Sequence, residues 1–411
     1  MEITKICKRQ KKHVMSIPKE VVMEILQRVP GKDLAEKLKM VCMQWCSIIY
    51  SGSFAYSHIK QIIKSSSFSQ LEAVIIKEAN DQQSITISSL EWHNYCNQNR
   101  DEFEHWETKD LYTTKIVSVQ PRPMLHLWQW QIMKTANSMN GFICFWSRHD
   151  ACFHIFNPVS KEHVTTPTYI HKGLQNGYVA MGFGFCPVTY EYKVVVLYDT
   201  NSNNIKPLVF TIGRDKSWRA LKDIPHKNFA NEVQAVVYLK GKLYWSGENV
   251  IGEEIVNTLI CFDVSKEEFE IVVAPIEIPE GPLTVAENRG RLYLVNIYNV
   301  PICSLMIKGY VADRIDDDLS NLNSWKIKFC VTLPSIAYRM DGLGDVYLVK
   351  ITDEILLIQL DKKNWGLFHL TNGKLLGLIP LPYFVTAAIP YVPSLVALRH
   401  RPLLASSSYS P

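Results

Sequence analysis

With 411 residues, of which 47% are hydrophobic and 20% charged, the chain is long and apolar enough for one small domain plus one large one, and bulk disorder is excluded. A formal net charge of only +4 over that length argues against nucleic acid as the main partner. No uncharged apolar run reaches the roughly 18 residues a membrane span needs, and the basic N-terminus lacks the apolar centre of a secretory signal, so a cytosolic or nuclear protein with no membrane partner is expected.

Ten cysteines stand at 7, 42, 46, 96, 144, 152, 186, 261, 303 and 330, with no CxxC pair and no regular spacing. Most lie inside apolar runs, where a reduced cysteine packs as a small hydrophobe, and all ten read as reduced. Cys42 and Cys46 share a helix face, but only His58 is near enough in sequence to join them. No metal and no cofactor is expected.

Lys5, Lys8, Arg9, Lys11, Lys12 and His13 make residues 1–14 a basic leader, read as a solvated tail with a nuclear-import patch as the sharper alternative. Pro18 suits a helix's first turn. Val21, Val22, Ile25, Leu26 and Val29 then follow at helical spacing. Pro30-Gly31 ends that helix. Asp33, with Glu36 three positions later, reads as the N-cap and capping box of a second helix with Leu34, Ala35, Leu38, Val41 and Cys42 on its apolar face. A third short segment carries Trp45, Ile48 and Ile49 before Gly52. Three short helices hold more large apolar side chains than they can bury among themselves, and each one left exposed forgoes roughly 1.5–3 kcal/mol. This marks residues 15–60 as a small docking module tethered to a larger domain. A helical cap packed on its own protein is the plainer alternative.

The stretch IPKEVVMEILQRVPGKDLAEKLKMVCMQWCSII resembles an F-box. The marks are Ile17-Pro18, Glu24-Ile25-Leu26, Arg28-Val29-Pro30, Leu34, and Val41-Cys42 with Trp45 three residues on. Ile17 replaces a usual leucine, Met43 stands where a basic residue is common, and Glu36-Lys37 make the second helix more polar. The resemblance implies binding to a Skp-type adaptor and, through it, to a cullin-based ubiquitin ligase. It implies that Ile17, Pro18, Val22, Ile25, Leu26, Val29, Pro30, Leu34, Val41, Cys42 and Trp45 pack against the adaptor or support the residues that do.

From about residue 65 the period changes. Strand-like runs such as GFICFW, YKVVVLYD, AVVYLKGKLYW and RLYLVNIY alternate with turn signals, while Trp92 to Trp130 is ambiguous between loop and irregular strand. Internal repeats are visible. Lys240-Gly241-Lys242-Leu243-Tyr244 is echoed by Arg289-Gly290-Arg291-Leu292-Tyr293, 49 positions on (290 − 241), and more loosely by Asn140-Gly141-Phe142-Ile143. Phe156-Asn157-Pro158-Val159-Ser160-Lys161-Glu162 matches Phe262-Asp263-Val264-Ser265-Lys266-Glu267, with Leu360-Asp361-Lys362-Lys363 a weaker copy. A third element runs from an aromatic to a proline: Trp218 to Pro225, Phe269 to Pro275, Trp325 to Pro334. Glycine turns, Asp/Asn–Lys hairpins and aromatics on outer strands at a period near 50 give the expected fold class: a small all-α N-terminal part followed by a large all-β domain over 65–395, a kelch-like β-propeller. Five units fall between about 135 and 390, with a sixth candidate over 65–130, and residues 396–411 read as a flexible tail. A pair of β-sandwiches is the structural alternative.

FNPVSKEHVTTP, GFGFCPVTYEYKVVVLYD, SWRAL, LKGKLYW, LICFDVSKEEFEIV and YVPSLVAL, in that order from Asn137 onward, are similar to the F-box-associated, kelch-like region of plant F-box proteins. That resemblance implies capture of a target protein and names no individual contact residue.

Chemical motifs are sparse. Gly182-Phe183-Gly184-Phe185 is half of a dinucleotide fingerprint and reads as a tight turn. Asp316-Asp317-Asp318 reads as a solvated loop. His93, His105 and His126 beside Trp92, Trp106, Trp128 and Trp130 read as core or blade edge, or, if exposed, as a partner hot spot. The function expected is a non-catalytic substrate receptor. The alternatives are a propeller enzyme or small-ligand or glycan binder with a helical extension, and an adaptor-bound scaffold that recruits nothing for degradation.

Overall fold

The computed structural model describes residues 17–65, 73–78, 84–95, 103–115, 133–147, 152–168, 179–199, 204–225, 236–251, 254–274, 283–300, 304–312, 319–333, 347–360, 364–380 and 385–398. Four helices come first: α1 (Lys19–Gln27), α2 (Gly31–Glu36), α3 (Met43–Ile49) and α4 (Gly52–Ser65), with a 3-10 turn at Leu38–Met40 between α2 and α3. The two prolines set the first two starts. Pro18 and Pro30 are the N-caps of α1 and α2, with φ −54° and −53°, and their carbonyls accept from the N–H of Val22 and Leu34 at 3.1 Å. The capping box expected of Asp33 and Glu36 does not form, since the N-cap is Pro30 and no side chain caps the helix. Asp33 lies inside the first turn of α2, not at its N-cap, and its carboxylate pairs with Lys37 at 2.8 Å. The fourth helix was not expected. Ser51 starts it, accepting from Phe54 N–H at 3.4 Å while its own hydroxyl donates to Ile48 O.

Strands then follow in groups. β1 (Ala73–Glu78), β2 (Ser84–Tyr95) and β3 (Phe103–Lys115) form one antiparallel group. Of the ambiguous stretch from Trp92 to Trp130, residues 92–95 and 103–115 are strand and the rest lie outside the described residues. Trp92 lies opposite Trp106 and His93 opposite His105 in the β2–β3 ladder, whereas His126, Trp128 and Trp130 lie outside the described residues. Five further sheets are each built from consecutive strands. The second comprises β4 (Met133–Met139), β5 (Phe142–Ser147), β6 (Cys152–Asn157) and β7 (Glu162–Thr165). The third comprises β8 (Val179–Cys186), β9 (Glu191–Asp199), β10 (Asn204–Thr211), β11 (Arg219–Ala220) and β12 (Ile224–Pro225). The fourth comprises β13 (Val236–Leu239), β14 (Lys242–Ile251), β15 (Glu254–Asp263) and β16 (Glu268–Val273). The fifth comprises β17 (Leu283–Asn288), β18 (Arg291–Val300), β19 (Ser304–Ala312) and β20 (Trp325–Leu333). The sixth comprises β21 (Tyr347–Ile351), β22 (Ile355–Gln359), β23 (Asn364–His369) and β24 (Leu375–Pro380). The last strand, β25 (Val385–Pro390), returns to pair antiparallel with β1 and completes the first sheet. Strands β25, β4, β8, β13, β17 and β21 touch one another in turn and close a ring, so the sheets are the blades of a β-propeller.

The repeats seen in the sequence are its hairpins. Asn140-Gly141, Lys240-Gly241 and Arg289-Gly290 are two-residue turns with φ positive at both positions, the type I′ geometry that matches strand twist. Asn157 and Asp263 each accept two backbone N–H bonds from the turn that follows, at 2.9 to 3.3 Å, and the turns close through Lys161 N–H to Asn157 O and Glu267 N–H to Asp263 O. Phe269 and Trp325 lie on the outermost strands β16 and β20.

Gly182-Phe183-Gly184-Phe185 is not a turn but the middle of inner strand β8. Its glycines are there for blade-to-blade contact. A Cβ on Gly182 would meet Trp245 at 2.5 Å, and one on Gly184 would meet Val264 at 2.8 Å. Trp245 Nε1 donates to Met181 O across the same junction, at 2.9 Å. An ion network ties the same two blades. Lys193, nearly buried, donates to Glu267 and to Val264 O at 2.8 and 2.7 Å, and Arg219 grips both Glu267 oxygens at 2.8 Å. These hydrogen bonds, Arg219's first, hold the Glu267 carboxyl down at about 2 against the opposing effect of burial.

Candidate functional site

The helices are not a bead on a tether. Val22, Leu26, Leu34, Ile48, Ile49, Phe54, Ala55 and Ile59 belong to one buried cluster with Phe142, Phe183, Tyr192 and Val194 of the propeller and Leu395 and Val396 after the last strand. α4 makes the joint. The Tyr56 ring lies 5.8 Å from Phe185 and 6.2 Å from Tyr190, and Gln27 Nε2 donates to Ser57 Oγ at 2.8 Å to hold α1 to α4. His58, fully buried and stacked on Phe54, donates from Nε2 to Val29 O at 2.7 Å, and burial lowers its pKa. It is a structural histidine.

The C-terminal segment is a strap across this joint. Asn157 Nδ2 donates to Ser394 O and Val396 O at 3.0 and 2.9 Å, and Leu398 N–H donates to Glu162. Val396 and Leu398 thus hold position inside the stretch from 396 expected to be a tail.

Against this buried side, the residues singled out from the sequence divide. Val22, Leu26 and Leu34 are core and unavailable to any partner. Val29 and Trp45 are half-buried, packed on that core. Val21 (44% exposed) and Ile25 (48%), four apart on one face of α1, point the other way, and Ile17 (53%), just before the helix, is exposed as well. The turn into α3 adds Met40 (78%), Val41 (58%) and Met43 (86%), with Pro18, Pro30 and Cys42 also exposed. The helical stripe expected on α1 is therefore two stripes, one facing inward and one unburied. Sequence reasoning missed Val21, Met40 and Met43 as members of the open face. The signal for Val21 was its spacing from Ile17 and Ile25. The break at Leu38–Met40, which turns Met40 and Val41 outward, has no clear local mark.

The other candidate chemistries find little. The seven described cysteines are thiols rather than disulfides, and only Cys42 and Cys330 among them are exposed. Burial pushes the Cys261 thiol up to about 12. Among the described residues no group of three or more His, Cys, Asp or Glu is placed to hold a metal ion, and no helix is long and apolar enough to cross a membrane. Asp316 to Asp318 lie outside the described residues.

The chain's comparisons agree with this architecture. Residues 79–301 match the F-box associated beta propeller domain. F-box/kelch-repeat protein At3g23880 of Arabidopsis thaliana is 25% identical over 87% of this chain and 89% of its own length. F-box protein At4g19940 of the same plant is 23% identical over 90% and 89%. Both alignments extend well beyond the propeller match. With over half its length covered by that one domain, the chain belongs to the F-box associated beta propeller family and is a plant F-box protein.

Proposed function

We propose that the chain is the target-recognition subunit of a Skp–cullin–F-box ubiquitin ligase. The observation that carries this reading is the unburied apolar face of Ile17, Val21, Ile25, Met40, Val41 and Met43 on helices whose opposite side is already filled by the chain's own propeller. A monomer gains nothing by leaving such a face in water, and a Skp-type adaptor, with a cullin beyond it, gives it a cover. Residues 15–60 are then the ligase-facing part, and the propeller, over 65–395, holds a target protein. The mechanism is proximity. Holding the target's lysines near a ubiquitin-charged enzyme raises their effective concentration, and this chain supplies no reactive group.

The test is affinity capture of the full chain under proteasome inhibition, against the variant Ile17→Ser/Val21→Ser/Ile25→Ser. Adaptor and cullin vanish from the variant while target proteins remain in both samples. Equal adaptor recovery from both would refute the docking face, and the loss of every captured protein would refute the separate roles of helices and propeller.

A further inference from the structure

The open face is unusually rich in sulfur. Met40 and Met43 are the two most exposed large apolar side chains among the described residues, they flank the exposed Cys42, and Cys46 follows one turn on. The other methionines whose side chains are described are protected. Met139 and Met181 are buried, Met23 is half-buried in the core, and Met306 has its sulfur against the Tyr298 hydroxyl at 2.8 Å. A water-borne oxidant therefore meets Met40 and Met43 well before these others. Both sit where the proposed partner would bury them.

We propose that Met40 and Met43 are modification sites: oxidation of their thioethers by hydrogen peroxide releases the chain from its adaptor, and two-electron reduction of the sulfoxides by a thiol-dependent reductase, with loss of the oxygen as water, restores docking. The inference rests on the docking reading above. In the step, a sulfur lone pair attacks the nearer peroxide oxygen. The S–O bond forms as the O–O bond breaks, and the proton on the transferred oxygen leaves with the departing hydroxide as water. The sulfur is oxidised by two electrons and the peroxide is reduced by two. The product places a polar, hydrogen-bonding S=O on a face that docking must desolvate, and each such group weakens docking by about tenfold. Neither methionine belongs to the buried cluster joining helices to propeller, so the fold survives the change.

The experiment measures binding of the full chain to a purified Skp-type adaptor before hydrogen peroxide, after it, and after treatment with methionine sulfoxide reductases of both stereospecificities. It is run on wild type, on Met40→Leu/Met43→Leu and on Cys42→Ser/Cys46→Ser, with circular dichroism as the check on folding. Wild type and the cysteine variant are expected to weaken at least tenfold and to recover on reduction, while the leucine variant, whatever its starting affinity, binds equally before and after peroxide. Unchanged binding of oxidised wild type overturns the inference and leaves docking intact. So does protection by the cysteine variant instead of the leucine one. No binding before peroxide overturns the docking reading itself.

Discussion

Ile25 and Leu26 are neighbours in α1 with opposite fates, which makes them a sharp test of the two-faced helix. Leu26 is fully buried in the cluster that joins the helices to the propeller. Leu26→Ala removes that packing and leaves a cavity, at a cost of about 2–5 kcal/mol in stability. Ile25 is 48% exposed, so Ile25→Ala touches little of the core and changes stability by no more than about 0.5 kcal/mol. Its effect belongs to docking. Burying a whole isoleucine side chain gains roughly 1.5–3 kcal/mol, and the exposed half accounts for about 0.7–1.4, a loss of about three- to tenfold in Kd for the adaptor. Both full-length variants are followed by thermal melting and by equilibrium binding to a purified Skp-type adaptor. Leu26→Ala is expected to melt several degrees lower, and Ile25→Ala to melt like wild type and bind more weakly. If Ile25→Ala lowers the melting temperature and Leu26→Ala does not, the assignment of the two faces is wrong. If Ile25→Ala both melts and binds like wild type, the exposed stripe is not the docking face.

Three further outcomes follow from the propeller. Glu267→Ala strands the buried Lys193 ammonium without a counter-charge and costs about 3–5 kcal/mol. Because the Glu267 carboxyl is held at about 2 against an ordinary 4.5, its contribution is complete above about pH 4.5 and fades as pH falls toward 2; a wild-type advantage over Glu267→Gln that stayed constant from pH 7 to pH 3 in melting experiments would contradict this. Gly290→Ala meets nothing within 4 Å and pays only for its φ of +73°, about 1–2 kcal/mol, whereas Gly141→Ala at φ +83° also drives a methyl onto Ser394, 2.9 Å from its nitrogen, adding about 1–3 kcal/mol; equal denaturation midpoints would refute the strap contact. Asn157→Asp loses two donor bonds and faces Ser394 O and Val396 O with a buried carboxylate, costing about 3 kcal/mol or more, while the matching exchange Asp263→Asn, at a turn with no strap, stays within about 0.5 kcal/mol by denaturant titration.

Much of the propeller was legible because its local geometry has few chemical solutions. Two-residue turns with both φ values positive require a pair such as Lys240-Gly241 or Arg289-Gly290, so the repeats were visible as glycines at fixed distance. Proline at 18 and 30 marked helix starts for the same kind of reason. What stayed hidden depended on distant partners. Val21 and Val22 are adjacent valines, and only the propeller and α4 decide which is buried. α4 itself carries Ser, His, Lys and Gln among its apolar residues, and its inward face is legible only once Phe185 and Tyr190 are beside it. Gly182 and Gly184 looked like turn residues because the tryptophan and valine they admit come from the next blade. The Asn157–Asp263 pair shows both limits in one motif. Either residue builds the turn, and only the amide of Asn157 can also donate to the strap.

The closing strand has a consequence for when this protein becomes competent. β25 pairs with β1 across about three-quarters of the chain's length, and Leu395 and Val396 complete the packing under the helices. During synthesis the helices leave the ribosome about 300 residues before β25, Leu395 and Val396, which finish the surface that holds them. Contacts of such separation form late, after a large loop entropy has been overcome. A chain that stops before β25 therefore displays its helices with their inner faces less covered, Val22, Leu26 and Phe54 among them, and is a substrate for quality control. The order of translation thus serves as a proofreading step: only a chain read past Val396 fixes its helices in place.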